Sequence, residues 1–260
     1  MGTYLEREIK HLFGKAVHGY GLIEGGDRIA VAFSGGKDSV LLLYMLKERL
    51  SYIPIRYELF AVYVDLGFDP EMPNIVETML KTTSIPYEII RTDFGVKAHS
   101  KENRENPCFL CSRLRRMTIF KTAWNHGCNK IAFGHNQDDL IETFFLNMCY
   151  SGQLATMLPR QEFFDGKVVV IRPLSLMTAA KIKRFVDEKK LPYVDNPCPS
   201  ALSGRRAMMK ELLGHLYRSN SKIRGNIFRA MSNVNLEYLP PPLNGGMMDD
   251  RMSGQNNISD

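Results

Sequence analysis

The sequence predicts an α/β fold: a five-stranded parallel sheet in the order 3-2-1-4-5 with helices on both faces, an N-terminal helix and a C-terminal helical extension. Three observations lead there. Short β-rich apolar runs alternate with helical stretches, the pattern of βαβ units. The runs are continuously apolar, as strands buried between two helix layers must be. Polar, glycine-containing turns follow the first and fourth runs. Those are the two positions where a sheet that winds first one way and then the other opens a crevice at its strand ends.

Taken in order, Leu5, Ile9, Leu12, Phe13, Ala16 and Tyr20 fall on one face of an N-terminal helix, and residues 1–27 form a helical segment ahead of the sheet. Strands are expected at 28–33, 57–64, 87–91, 130–133 and 168–172, from their Val, Ile, Phe and Tyr content between turn residues. Helices are expected at 38–49, 71–83, 112–125, 137–148 and 179–189, where apolar residues recur at helical spacing. The main domain spans 28–200 and a basic helical region spans 201–239. The stretch 240–260 is rich in Pro, Gly, Asn and Asp, poor in large apolar residues, and expected to be disordered.

The first strand ends in Ser34-Gly35-Gly36-Lys37-Asp38-Ser39, and the apolar pattern resumes at once in a helix. Backbone N–H groups at a helix start lack partners and the dipole there is positive, so an anion is favoured. Two glycines allow close backbone approach, and Ser34 and Ser39 add hydroxyl donors. The alternative is an ordinary capped turn, since Ser and Asp are good N-caps; the whole hexapeptide in this place favours phosphate. It is not the Walker loop, because Gly36-Lys37 is followed by Asp. A carboxylate at Asp38 beside phosphates requires an intervening cation, and Mg²⁺ suits carboxylate plus phosphate oxygens. After the fourth strand come Gly134-His135-Asn136-Gln137-Asp138-Asp139, with Glu142 one turn on. Helix capping accounts for acidic residues there. The switch-point topology, however, sets Asp138 and Asp139 opposite the phosphate turn.

Charges interrupt the first twenty residues, so they form no signal peptide, and no stretch is long and apolar enough to span a bilayer. The cytoplasm is the expected compartment. Five cysteines, an odd number, argue against a closed disulfide framework. The net charge of +6 is concentrated: residues 160–229 hold 15 Lys or Arg against 6 Asp or Glu. A solvated helical surface would explain one cluster. Lys181, Lys183 and Arg184, then Arg205, Arg206 and Lys210, then Lys222, Arg224 and Arg229 make three of one sign, which favours a polyanion such as RNA.

Cys108 and Cys111 lie in Asn106-Pro107-Cys108-Phe109-Leu110-Cys111, and Cys198 lies far along the chain in Pro197-Cys198-Pro199. Cys128 and Cys149 are expected to be ordinary buried thiols. The pair alone is open to three readings. A structural zinc site wants four ligands, and there is no second pair. A redox dithiol lacks its partner motifs. An iron–sulfur cluster accepts such a pair with a distant cysteine, and three ligands would leave one iron open for sulfur chemistry.

The stretch S-G-G-K-D-S resembles the signature of the PP-loop ATPases, which adenylate a carbonyl oxygen and release pyrophosphate. G-H-N-Q-D-D-x-x-E-T resembles the second motif of the tRNA-modifying members. With P-C-x-L-C-S-R-L-R-R and V-I-R-P-L, the chain from Leu5 to Leu239 is similar to the tRNA 2-thiocytidine synthetase family. The resemblance implies an ATP-dependent, iron–sulfur-dependent sulfurtransferase acting on cytidine 32 of the tRNA anticodon loop. It implies ATP and Mg²⁺ held by Ser34 to Ser39, with adenosine near Val64 and Asp65 and with Gly134 and His135 opposite. Asp38, Asp138 and Asp139 are then catalytic, with Asp38 on magnesium. Cys108, Cys111 and Cys198 hold a [4Fe-4S] cluster, and Arg113, Arg115, Arg116 and the basic clusters bind tRNA. Expected partners are tRNA and a cysteine desulfurase or other sulfur donor, with no membrane and with a homodimer left open. Familiar bacterial members place a further cysteine after the third ligand, where this chain has Pro199-Ser200-Ala201. Thiouridine- and lysidine-type enzymes sharing the ATP motifs, and a non-enzymatic ATP-binding regulator, are the alternatives.

Overall fold

The computed structural model describes residues 2–195, 198–199 and 204–240; the expected disordered tail, apart from Pro240, lies outside them. Helix α1 (Tyr4–Gly19) starts at Thr3, whose hydroxyl accepts from the Glu6 N–H. Its buried face is Leu5, Ile9, Phe13, Ala16 and Val17. Leu12 is only partly buried and Tyr20 is 40% exposed beyond the helix end, so the expected apolar stripe shifts to include Val17.

The chain continues through β1 (Arg28–Ala32), α2 (Lys37–Arg49), β2 (Glu58–Val64), α3 (Met72–Lys81), β3 (Tyr87–Ile90), the short α4 (Phe94–Ala98) and α5 (Pro107–Asn125). It then forms β4 (Lys130–Ala132), α6 (Gln137–Ser151), β5 (Arg160–Phe163), β6 (Val168–Ile171), α7 (Ala179–Glu188), α8 (Gly204–Ser219) and α9 (Ile223–Ala230).

The sheet order is β3-β2-β1-β4-β6-β5. The five expected parallel strands are β1, β2, β3, β4 and β6, in the expected order, with Val31 of β1 beside Ala61 on one side and Ala132 on the other. The strand count needs correction: β5 adds a sixth strand, antiparallel to β6 at the edge. Its sequence, Arg-Gln-Glu-Phe, carries no apolar run because an edge strand is half solvated. The hairpin turn has Phe164, Asp165 and Gly166 all at positive φ, and the Asp-Gly pair was the available signal.

Each strand of the central sheet divides its side chains between two layers. Ile29 and Val31 join the larger core with α1, α2, α3 and α7, while Ala30 and Ala32 join a smaller one built on Ile119 and Ala123 of α5. Burying each large aliphatic side chain contributes about 1.5–3 kcal/mol. The two layers thus clamp β1, and the polar residues that follow it emerge at the carboxyl edge.

Candidate active site

The carboxyl ends of β1, β2 and β4 open into one cleft of about 490 Å³. Ser34, Gly36, Asp38 and Ser39 form one wall, Val64 and Asp65 another, and Gly134, His135 and Asp139 face them. Cys108, Cys111 and Cys198 line the same space.

The phosphate turn is organised by its own side chains. Ser39 Oγ accepts from the Ser34 N–H at 3.1 Å and donates to the Gly36 carbonyl at 2.9 Å, and Ser34 Oγ accepts from the Gly36 N–H at 3.4 Å. Gly36 caps α2 without any side-chain bond. The ordinary capped turn is therefore not what the chain builds: first-turn amides remain available for an outside acceptor. Gly35 has φ +76°, and a Cβ there would stand 2.7 Å from Val194 Cγ2. The Val194 N–H donates to the Gly35 carbonyl at 3.0 Å, which ties the segment leading to Cys198 onto this turn.

The turn after β4 lies flush against the start of α2. A Cβ on Gly134 would meet the Asp38 carbonyl carbon and the Ser39 nitrogen at 3.1 Å. Asn136 joins the two motifs: it caps α6 in a capping box with Asp139, and its Nδ2 donates to Asp38 Oδ1 at 3.1 Å. Asp38 Oδ2 accepts from Lys37 Nζ at 3.0 Å. Asp139 accepts from the Asn136 N–H. Sequence reasoning named Asn136 only as part of a motif; an Asn followed three residues later by Asp at a helix start was the signal for its role.

Asp138 is not brought to the phosphate turn. Its Oδ2 accepts from the Ala179 N–H at the start of α7, its Oδ1 lies 3.1 Å from Arg224 Nε, and it lines a second cavity of about 330 Å³. His135 is half-buried beside Arg172, which donates to its Nδ1 at 3.3 Å. Burial, reinforced by the Arg172 charge, pushes its pKa down to about 3. The imidazole is thus neutral, with its remaining N–H on Nε2. Arg172, singled out by sequence only within V-I-R-P-L, is fixed by His135 and the Leu158 carbonyl. Asp65 accepts from the Gly67 N–H at 3.1 Å, which shapes the turn after β2.

On the thiol side, α5 starts five residues earlier than expected, at Pro107. Asn106 caps it by accepting from the Cys108 and Phe109 N–H groups, and Pro107 pre-sets the first turn. Cys108 and Cys111 therefore sit in the first helical turns, Cys108 exposed and Cys111 buried, with Cys198 partly exposed. Burial pushes the Cys111 thiol up, and its electrostatic neighbours include both Cys198 and Cys108. Cys128 is buried in the smaller core, as expected, but Cys149 is exposed on α6. Among the described residues no three His, Cys, Asp or Glu side chains close around a single ion. Three thiols lining one space are the donor type that an iron–sulfur cluster takes. The adjacent Arg115, whose enclosed Nε has no partner, suits an anionic occupant.

The cations divide into three groups. Arg115 and Arg116 line the cleft, whereas Arg113 is exposed, 3.6 Å from Glu105 and over the Phe109 ring. Lys181, Lys183 and Arg184 each meet a carboxylate, those of Glu8, Asp187 and Glu188, at 2.7 to 2.9 Å. On α8, Arg205 covers the Tyr150 ring and Arg206 reaches Glu142 and Thr143. No helix among the described residues is long and apolar enough to cross a membrane.

The PP-loop domain model matches residues 1–216. The tRNA-cytidine(32) 2-sulfurtransferase of Citrifermentans bemidjiense is 37% identical over 89% of this chain and 92% of its own length. That of Syntrophotalea carbinolica is 39% identical over 90% and 92%. Among solved structures, the U34-tRNA thiolase NcsA from Methanococcus maripaludis with its [4Fe-4S] cluster shares the fold. Its TM-score is 0.73 at 23% identity, over 91% of this chain and 81% of that one. A phosphate turn clamped by two glycine contacts, facing three thiols across one cleft, thus sits in a chain that belongs to the PP-loop domain family and, within it, to the tRNA-cytidine(32) 2-sulfurtransferase family.

Proposed function

We propose that this protein is an ATP-dependent, iron–sulfur-dependent tRNA sulfurtransferase that forms 2-thiocytidine at position 32 of the anticodon loop. One observation carries the reading: the phosphate turn and the three thiols share a single cleft. The curated relatives named as tRNA-cytidine(32) 2-sulfurtransferases supply the base and its position. The first-turn amides of α2, with Ser34, Ser39 and Lys37, hold the pyrophosphate half of ATP. Asp38 and Asp139 hold Mg²⁺ on the phosphates. Val64 and Asp65 border the adenosine.

The cytosine O2 attacks the α-phosphate, pyrophosphate leaves, and the base oxygen becomes part of an AMP leaving group. Sulfur then replaces that oxygen at C2 and AMP departs. The neutral Nε2–H of His135 donates to oxygen without introducing charge. Asp138 acts through α7, as a positioning residue. Cys108, Cys111 and Cys198 hold the [4Fe-4S] cluster, which when bound supplies an iron without a protein ligand to carry the transferable sulfur.

An unpaired anticodon-loop base can be splayed into such a cleft. Arg113 and Arg116 at its mouth, with Arg205 and Arg206 on α8, contact tRNA phosphates, and Lys181, Lys183 and Arg184 reach further phosphates by exchanging the carboxylates of Glu8, Asp187 and Glu188. A cysteine desulfurase or other donor supplies sulfur in the cytoplasm, and two copies can pair. Mass spectrometry of tRNA nucleosides from cells with and without the protein tests the reading. Appearance of 2-thiocytidine only in the former is expected; unchanged nucleosides, or 2-thiouridine in its place, would sink it. The tRNA surface has its own check, because each lost phosphate contact lowers the log–log salt slope by about 0.7–0.9.

A further inference from the structure

Arg115 follows Cys111 by one helical turn on α5. Helical side chains lean toward the helix amino terminus, so its guanidinium lies back over the turn that carries Cys111. It lines the cleft, yet among the described residues it makes no ion pair and its Nε is shut off from solvent without a partner. The neighbouring cations differ. Arg172 is satisfied by His135 and the Leu158 carbonyl, and Arg116 is exposed. Of the cleft carboxylates, Asp38 is engaged with Lys37 and Asn136, Asp139 with Asn136 and Asp65 with Gly67, while Asp195 is exposed and forms no ion pair with Arg115.

A half-buried guanidinium whose Nε is enclosed without a partner is costly. The side chains that line the cleft beside it include Cys108, Cys111 and Cys198. His135 also lies within its field. The missing negative charge therefore belongs on the thiol side of the cleft. A four-iron cluster bound by three thiolates has net negative charge in its oxidised state. Its potential depends on that charge and on hydrogen bonds to its sulfurs.

We propose that Arg115 is the counter-charge of the thiol site: a positioning residue that donates to the sulfur atoms of a cluster on Cys108, Cys111 and Cys198 and raises its reduction potential, rather than a contact to tRNA. The inference rests on the three-thiolate reading above. It is tested on the full chain reconstituted without oxygen, with Arg115→Gln, Arg115→Lys and Arg116→Gln beside the wild type. Iron and acid-labile sulfide are assayed first, then the midpoint potential.

Arg115→Gln should load iron and make reduction at least tenfold less favourable, about 59 mV more negative for a one-electron couple. Arg115→Lys should recover most of that shift and Arg116→Gln should show none. A fully loaded Arg115→Gln protein within twofold of wild type would overturn the role, as would an equal shift in Arg116→Gln. If Arg115→Gln folds but takes up no iron, a loaded Arg115→Lys protein supports the counter-charge and an unloaded one refutes it. A salt slope for tRNA binding lowered in Arg115→Gln as for a lost phosphate contact would return Arg115 to the RNA surface. These adverse results concern Arg115 alone, whereas a wild-type protein that binds no iron would sink the cluster reading and this inference with it.

Discussion

The two halves of the cleft are built on opposite plans. The phosphate turn comes from six consecutive residues whose serines and glycines bond to one another, so its shape is complete before anything binds. The thiol site draws on residues 108, 111 and 198, and its central cation is unmatched. A backbone nest for phosphate needs only correct dihedral angles, which a short sequence dictates by itself. A thiolate site gathers like charges, and only the bound group can compensate them. The first half is preorganised by the chain, and on the proposed reading the second is completed by its ligand.

The largest expected effect comes from breaking the ligand-completed half. Cys198→Ala should remove the iron–sulfur cluster altogether and abolish thiolation, because a metal site couples its ligands. ATP affinity should persist, since the phosphate turn bonds internally. Iron assay and ATP titration on the same sample separate the two, with Cys128→Ala and Cys149→Ala as unaffected controls. A Cys198→Ala protein with full iron would erase the contrast.

Asp38→Asn addresses the preorganised half. The amide keeps an oxygen to accept from Asn136 and should leave Tm nearly unchanged. Loss of the metal-binding charge should lower turnover by on the order of 10²-fold or more. Iron content should stay at the wild-type level. Normal turnover would show that Asp38 carries no metal.

The same contrast explains what was legible in the sequence. The five parallel strands and the phosphate turn followed from local signals: apolar runs, two glycines and a polar helix start. Side-chain direction did not, because tertiary contacts decide it. Adjacent Asp138 and Asp139 read alike, yet one accepts from the Ala179 N–H of α7 and the other faces the cleft. Arg113, Arg115 and Arg116 read as one basic cluster, but helical periodicity turns Arg115 into the cleft and Arg113 toward Glu105. Helix α5 begins five residues ahead of the expected 112 because Asn106 caps it and Pro107 opens its first turn, a plain Asn-Pro signal. The β5 strand was missed because its stability comes from pairing with β6 rather than from its own composition.

The turn after β4 and the helix it opens also have a pH signature, since the protein itself sets the states of their desolvated groups. His135, at about 3 when folded, binds no proton where the unfolded chain does, so stability falls as pH drops from about 6.5 toward 3. Glu142 does the opposite. It is 5% exposed, and burial pushes its pKa up to about 7 against the partial relief of Lys210, so stability falls as pH rises from 4.5 toward 7. Glu142→Gln removes only the second trend. Relative to wild type it should gain about 1–3 kcal/mol between pH 5 and pH 8. Thermal unfolding at the two pH values reads this directly, and a constant offset would show that Glu142 does not titrate there.

The smallest effect should come at the joint between the halves, where the comparison is sharpest. Gly35 touches both: its positive φ shapes the phosphate turn, and its carbonyl receives the Val194 N–H that leads the chain to Cys198. Gly35→Ala places a methyl in left-handed backbone, at about 1–2 kcal/mol, and drives it against Val194 Cγ2 at 2.7 Å. Val194 is short and lies on a connecting segment, so that segment gives way more readily than the turn clamped between β1 and α2. Stability should fall by about 1–3 kcal/mol. If the halves differ as argued, iron occupancy should fall further than ATP affinity. Trimming the obstruction as well, in Gly35→Ala/Val194→Ala, should restore part of the iron while the backbone penalty stays. Equal losses of iron and ATP binding, with no recovery in the double variant, would mean that the cleft is organised as one unit.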